Sequence, residues 1–540
     1  MNWGCLAILI AIRFVWRTRG GGLAAGILIT LLGDAGAATV AAKSVSLADV
    51  SSAIGSAREG DTVAVPAGTA NWTTGLKIIK GITLQGAGIG QTVIIDDIVK
   101  GVTNDTEAIF AFTPTSFFRL TGFTFMGGSP TRTKYFGGSI QIRPSVPTFR
   151  IDHCDFNHLR NKAIEVGAER GVIDHNTFEL NPSGGVYIDG PYWGGGDQWG
   201  DTSFATPLDL GGDHAVFIES NTCRNDFKVA DNTAMIGDAY GCRWVFRNNV
   251  CHNVQISCHG TETTGRARGA RSWEIYNNTF DMPGPLAAWP QAIGQLRSGT
   301  GVIWGNTVTG NYLTLCKLSC GRQAGYFKCW GGADGLSAFD INDTTDHKGN
   351  GYGGGPGGLY GSGTHTGATG STTLVVSVGS PGNPAPGWTA NQWKGYEFLN
   401  TTQHNVSVCT KNTVDTIMYI ASFGPGFMKW TNGDHFEIRR VTQSLDQPGA
   451  STSDLLTDRS QAPRPVNLRQ TIDPVYGWNN TLNGAPGLIT TIYNIVEGRD
   501  FINNGSTPKS GYKPYTYPHP LVSGAPPAPS NKGHQESAKH

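Results

Sequence analysis

The sequence predicts an all-β fold, a right-handed parallel β-helix with an N-terminal capping helix and a β-rich inserted or accessory module, and three observations carry that expectation. The first is composition: the 540-residue chain holds 75 glycines and only 15% charged residues, a balance that suits turn-rich β structure better than helix bundles. The second is a repeat. An alternating strand, an Asn and an apolar residue two positions further on recur at 172–178, 216–223, 244–251, 273–280 and 302–308, after a related copy at 149–156. The Asn residues are Asn176, Asn221, Asn249, Asn278 and Asn306, and the last three intervals are 28, 29 and 28 residues, as one coil per repeat requires. The third is the period-2 alternation inside each copy, which puts Ile151, Ile173, Ile218, Phe246, Ile275 and Ile303 on one buried face.

Each element can be justified in chain order. Two apolar runs, 5–12 and 22–32, are separated by Arg13, Arg17 and Arg19 and followed by small residues through Ala42. Residues 1–42 therefore read as a cleaved signal peptide, which makes the mature protein secreted or extracytoplasmic and free of the membrane. Residues 47–58 alternate at helical spacing, and a helix there would cap the open end of the solenoid. Residues 62–68 and 81–88 read as the first strands, and 43–350 as the parallel β-helix with its groove. The Gly-rich stretch 351–370 reads as a linker, 371–441 as a β-rich accessory module, 442–511 as a return to the coils, and 512–540 as a C-terminal strap and disordered tail. An Asn at the same corner of successive coils can satisfy backbone groups and bond to its equivalent about 4.8 Å away. Cys223 and Cys251 hold equivalent inward positions in neighbouring coils and read as two buried thiols. Export permits disulfides, but removing Cys5 leaves nine of the ten cysteines, an odd number.

Charge bounds the partners. The formal net charge is zero and no long basic run occurs, which argues against nucleic acid, and a monomer is expected. The functional signal lies one position after each buried Ile or Phe, where Asp152, Asp174, Glu219, Arg247, Tyr276 and Trp304 follow in coil order. Carboxylates at strand spacing repel unless a cation or a basic group sits between them, and calcium would answer that need. Arg247 could meet a substrate carboxylate, while Tyr276 and Trp304 offer flat faces to sugar rings. The densest polar cluster lies further on, with His259 and Glu262 ahead of Arg266, Arg268 and Arg271.

These residues resemble the calcium-dependent pectate lyases, β-helix enzymes that cut polygalacturonate by β-elimination. The resemblance runs from about 149 to 280. Ile151-Asp152-His153 and Ile173-Asp174-His175 look like the family's Ile-Asp-His strand end, Asp209-Leu-Gly-Gly-Asp213 like its pair of metal-binding aspartates, Met235-Ile-Gly-Asp238 like its Leu-Ile-Gly segment, and Arg266 through Arg271 like its Arg-x-Pro-x-x-Arg motif. Arg268 stands where that motif has proline, and no lysine precedes Met235. The resemblance implies an acidic polysaccharide as partner, a calcium ion held by Asp174, Asp209 and Asp213, and Arg266 as base, with Arg271 next; the outward column adds Glu219 to the metal ligands, and His259, a more ordinary base by its pKa, is the reserve candidate. Arg268, Arg247, Tyr276 and Trp304 would bind substrate. Calcium would neutralise the uronate carboxylate, so that the adjacent proton can leave. Two rival readings come from other classes. One is a non-catalytic β-helix adhesin or glycan-binding scaffold. The other is an inverting glycoside hydrolase on the same fold, with Asp231 and Asp238 as its acid and base.

Overall fold

A computed structural model of the chain describes residues 36–100, 107–128, 137–179, 184–189, 203–204, 206–225, 235–258, 269–284, 291–319, 359–393, 396–403, 405–419, 429–439, 448–452, 471–491, 495 and 497–524. The expected signal lies outside them up to residue 35. Thr39–Ala41, placed within that signal by the sequence reading, forms the first strand of a parallel sheet against Thr62–Ala64, so the folded chain begins ahead of the expected 42/43 boundary. Among the described residues no helix is long and apolar enough to cross a membrane.

The fold is a parallel β-helix. Its first face is a sheet of twelve parallel strands, its second a sheet of eleven, and its third comes in runs of six and four strands. The two runs meet where Met235 N donates to Gln255 O at 2.7 Å. Ile151, Ile173, Ile218, Phe246, Ile275 and Ile303 lie in register along the first face and are fully buried. At the open end sits the helix Leu47–Ser56, where the Ser46 hydroxyl accepts from Asp49 N at 3.2 Å, a side-chain cap on an otherwise orphan donor.

The corner between the first and second faces explains the repeat. Asn176 N donates to Asn221 Oδ1, Asn221 N to Asn249 Oδ1 and Asn249 N to Asn278 Oδ1, each at 2.9 Å. The ladder continues through Asn306 to Asn480 at 3.1 Å per step. The residue before each rung is left-handed, as is His153 before Cys154, whose N donates to Asn176 Oδ1 at the head of the ladder: His153, His175, Ser220, Asn248, Asn277, Gly305 and Asn479 have φ between 50° and 64°, a region that Asn and Gly tolerate best. Cys223 and Cys251 are registered one coil apart, as free buried cysteines.

The other two corners carry the insertions. From third to first face run the connections 190–215, 259–271 and 319–474, and from second to third run 97–109, 128–137, 225–235 and 283–290. The longest contains a six-stranded sheet with its own core of Leu374, Phe398, Ile417, Trp430, Phe436 and Ile438. The Gly-rich stretch expected as a linker supplies one of its strands, since Leu359–Thr364 pairs antiparallel with His435–Arg439. The module thus starts earlier than residue 371. The chain rejoins the solenoid at Val475–Trp478, which pairs in parallel with Thr300–Trp304.

Candidate functional site

The row Asp152, Asp174, Glu219, Arg247, Tyr276 and Trp304 is in register on the outer side of the first face, and Trp478 extends it. It is not an open groove. Residues 512–522 lie across it, and Leu521 packs into an apolar cluster with Val172, Phe217 and Val245. Arg247 is fully buried; it donates to Glu219 Oε2 from Nε at 2.7 Å, to the Tyr276 hydroxyl at 2.9 Å, and to the carbonyls of Tyr515 and Thr516 at 2.7 and 2.8 Å. Arg150 pairs both nitrogens of its fork with Asp174 at 2.9 and 2.8 Å and reaches the carbonyls of Leu521 and Val522 at 3.3 Å. Glu219 Oε1 accepts His519 N at 2.8 Å, and Tyr512 donates to Glu274.

Two expectations are corrected here. Asp174 and Glu219 do not fit a calcium centre, because both oxygens of each already accept from arginines, from the His175 ring or from strap backbone. Asp213 points to Arg170 at 3.5 Å instead, and Asp209 is exposed. No three His, Cys, Asp or Glu side chains among the described residues form a group that could hold a metal ion. The carboxylates are neutralised by arginine within the fold. Burial pushes the Asp152 carboxyl upward, yet hydrogen bonds from Arg119 and His153 and the charge of Arg150 hold it below its ordinary value. The second correction concerns the aromatic faces. Tyr276 and Trp304 stack on each other at 4.5 Å and Trp304 on Trp478 at 5.6 Å, with planes within 8°. Their faces are spent on one another, and Arg247 and Tyr276 are sealed from a sugar.

Arg271 is a structural anchor and no base. It is fully buried, with Nε donating to Ser203 O at 3.2 Å and Nη2 to Thr206 O at 3.0 Å. Arg243 holds the same segment through Ser203 O and Pro207 O, at 2.9 and 2.7 Å, and burial pushes its guanidinium down to about 10. The glycines between Asp209 and Asp213 also have a packing reason, since a Cβ on Gly211 would stand 1.9 Å from Lys513 O. His259, Arg266, Arg268, Glu262 and Asp231 lie outside the described residues, as does the side chain of Asp238.

The third face differs in that long connections border both of its edges. Its outer row in coil order is Lys77, Ala111, Gln141, Glu165, Tyr187 and Gly237, alternating with the core residues Ile78, Phe112, Ile142, Val166 and Ile188. Arg143 donates to Gln141 Oε1 at 2.7 Å. The Lys162 ammonium lies 3.0 Å from the centre of the Tyr187 ring, a cation–π contact. Gly237 makes room for that ring, since a Cβ there would meet it at 2.8 Å. Three cations, a carboxylate and a phenol thus share one loop-bordered face.

Several of these residues had a legible signal. Asn480 follows Gly477-Trp-Asn as Asn278 follows Ile275-Tyr-Asn, and extending the repeat search past the insertion finds it. Arg119 and Arg150 stand two positions before the outward Thr121 and Asp152, where period-2 alternation puts them on the same side. The third-face row has no Asn beside it to mark its strands.

No family model matches this chain, and no curated protein matches it. Among solved structures, the PL6 family alginate lyase AlyGC is similar at 17% identity and a TM-score of 0.28, over 51% of this chain and 38% of that one. The chain thus covers well under half of that enzyme's length. A likeness of this size bears on neither the site nor its chemistry, and the parallel β-helix stands on the chain's own strand pairing.

Proposed function

We propose that this chain is an exported carbohydrate-active β-helix protein that lays an acidic, uronate-containing polysaccharide along the third face and cleaves it by β-elimination. The observation that carries this reading is the gathering of Lys77, Arg143, Lys162, Glu165 and Tyr187 on the face with long connections on both edges. Removing the proton beside a uronate carboxylate requires that the carboxylate's charge be offset while the enolate forms. Arg143 and Lys162 supply positive charge of the right kind, the guanidinium as a planar fork and the ammonium as a point charge. The connection bearing His259, Arg266 and Arg268 leaves the third sheet directly after Cys258, and Arg266 remains the proposed base by the motif's resemblance. Asp174 and Glu219 take no part.

Incubating the purified protein with polygalacturonate and with alginate tests this reading. Unsaturated ends, read by ultraviolet absorbance, should accumulate, and Arg266→Ala should slow their release about 10²–10⁴-fold at unchanged melting temperature. Saturated products would point to hydrolysis. Binding to either polymer without any product would favour the glycan-binding scaffold, a reading supported by the sealed first face.

A further inference from the structure

The inward column of the second face runs Phe125, Phe156, Phe178, Cys223, Cys251 and Phe280, each in register with the next. Phe125, Phe156 and Phe178 stack ring on ring at 5.5 and 5.0 Å, and the column then changes to two cysteines side by side. Both are fully shut off from solvent within the main core. Other buried thiols of the solenoid lie against backbone carbonyls, Cys154 Sγ at 3.3 Å from Asp152 O and Cys258 Sγ at 3.7 Å from Ser298 O. The thiols of Cys223 and Cys251 are instead in hydrogen-bond contact with each other.

Residues paired in register on neighbouring parallel strands stand about 4.8 Å apart, within the Cα range that a disulfide spans, and both side chains leave their strands in the same direction. We infer that Cys223 and Cys251 are an oxidation site, joined in the exported protein by a disulfide that staples two successive coils. Closing the bond asks the Cβ atoms to approach by about 1 Å, from strand spacing to the roughly 3.8 Å of a typical disulfide, so strain offsets part of the stabilisation. The site needs no space beyond that of the two sulfurs. The step is an exchange with a disulfide oxidant, small-molecule or protein-bound. One cysteine thiolate attacks an oxidant sulfur, giving a mixed disulfide and one released thiol; the second cysteine then attacks the mixed disulfide, and the oxidant leaves as its second thiol. Two electrons pass to the oxidant, and the protons of the two cysteines end on the two released thiols. Burial pushes the Cys251 thiol up, which disfavours the thiolate that exchange requires. The bond therefore forms in the folding chain, before the coils close, and the finished core shields it from reductants. An oxidising compartment is where such a bond persists, so the inference rests on export and not on the polysaccharide reading.

Refolding the full chain in a buffer of reduced and oxidised glutathione tests this. The product is unfolded with a maleimide and no reductant, then digested for mass spectrometry. A cross-linked pair of peptides holding Cys223 and Cys251 is expected. The oxidised protein should also melt a few degrees above protein refolded in dithiothreitol, and Cys251→Ala should abolish that difference. Protein secreted from a host cell and mapped in the same way gives a second reading that needs no refolding. Maleimide on both cysteines in both preparations overturns the inference, as does a cross-link from either one to a different cysteine. The expected cross-link with no rise in melting temperature would overturn the staple. Polysaccharide binding plays no part in either readout, so failure here leaves the third-face reading untouched.

Discussion

The first and third faces of this solenoid are built by the same alternation, yet they use their outward polar residues in opposite ways. On the first face Asp152, Asp174, Glu219 and Arg247 all find partners inside the protein, and residues 512–522 lie over them. On the third face Lys77 is exposed, Lys162 and Glu165 are half-buried, and Gln255 and Gln291 hold buried oxygens with no partner among the described residues. A row of charges on a strand is therefore ambiguous until its cover is known. Covered and mutually paired, it is architecture; bordered by long loops and left partly unsatisfied, it is a candidate for binding.

The comparison breaks most severely if the strap can be removed without cost. Ending the chain before Tyr512 exposes the Val172, Phe217 and Val245 cluster and strips Arg150 and Arg247 of four backbone acceptors. The shortened chain should lose more stability in denaturant titration than any single substitution below. Next comes Arg247→Ala, which leaves Glu219 buried and unpaired and should cost about 3–5 kcal/mol. Should it instead lose polysaccharide binding at unchanged stability, the first face would be the functional one after all. Asn249→Ala and Asn278→Ala each remove a buried rung and should cost about 1–3 kcal/mol by the same titration. Equal stability for both would deny the ladder its role in holding register.

A pH titration sharpens the contrast further. His519 lies in the strap, its ring nitrogen accepting Leu521 N at 3.2 Å, and burial together with the charge of Arg247 pushes it down to about 4. Its ordinary value is near 6.5. Between these two values the unfolded chain binds the proton and the folded chain does not, so stability is full above pH 6.5 and falls as the pH drops toward 4. His519→Phe should flatten that slope, and an unchanged slope would remove His519 from the account. The smallest effect on stability is expected from Arg143→Ala, within about 1 kcal/mol, while it weakens polysaccharide binding. A large loss of stability there would mean that the third-face cations are as structural as those of the first face.

Much of the solenoid was written in the sequence, because its core and corners are set by short-range rules that repeat. Alternation fixes which residues face inward, and a left-handed residue followed by Asn fixes the corner, so Ile173, Ile218 and Asn221 could be placed with no neighbour known. The helix at 47 and the strands at 62 and 83 are local in the same sense. The functional row was misread for a different reason. Asp174 and Glu219 look like cation ligands in sequence, and only the tertiary structure brings to them Arg150 from one coil earlier, Arg247 from one coil later and a strap about 300 residues away. Tyr276 and Trp304 likewise appear as open platforms until register stacks them face to face. The approach of Gln255 and Gln291 to Gly294 leaves no mark in the sequence at all, since it depends on two side chains from two coils meeting beside one missing Cβ. Sequence periodicity decides which way a side chain points from its own strand; what waits there to meet it is decided by segments distant in the chain.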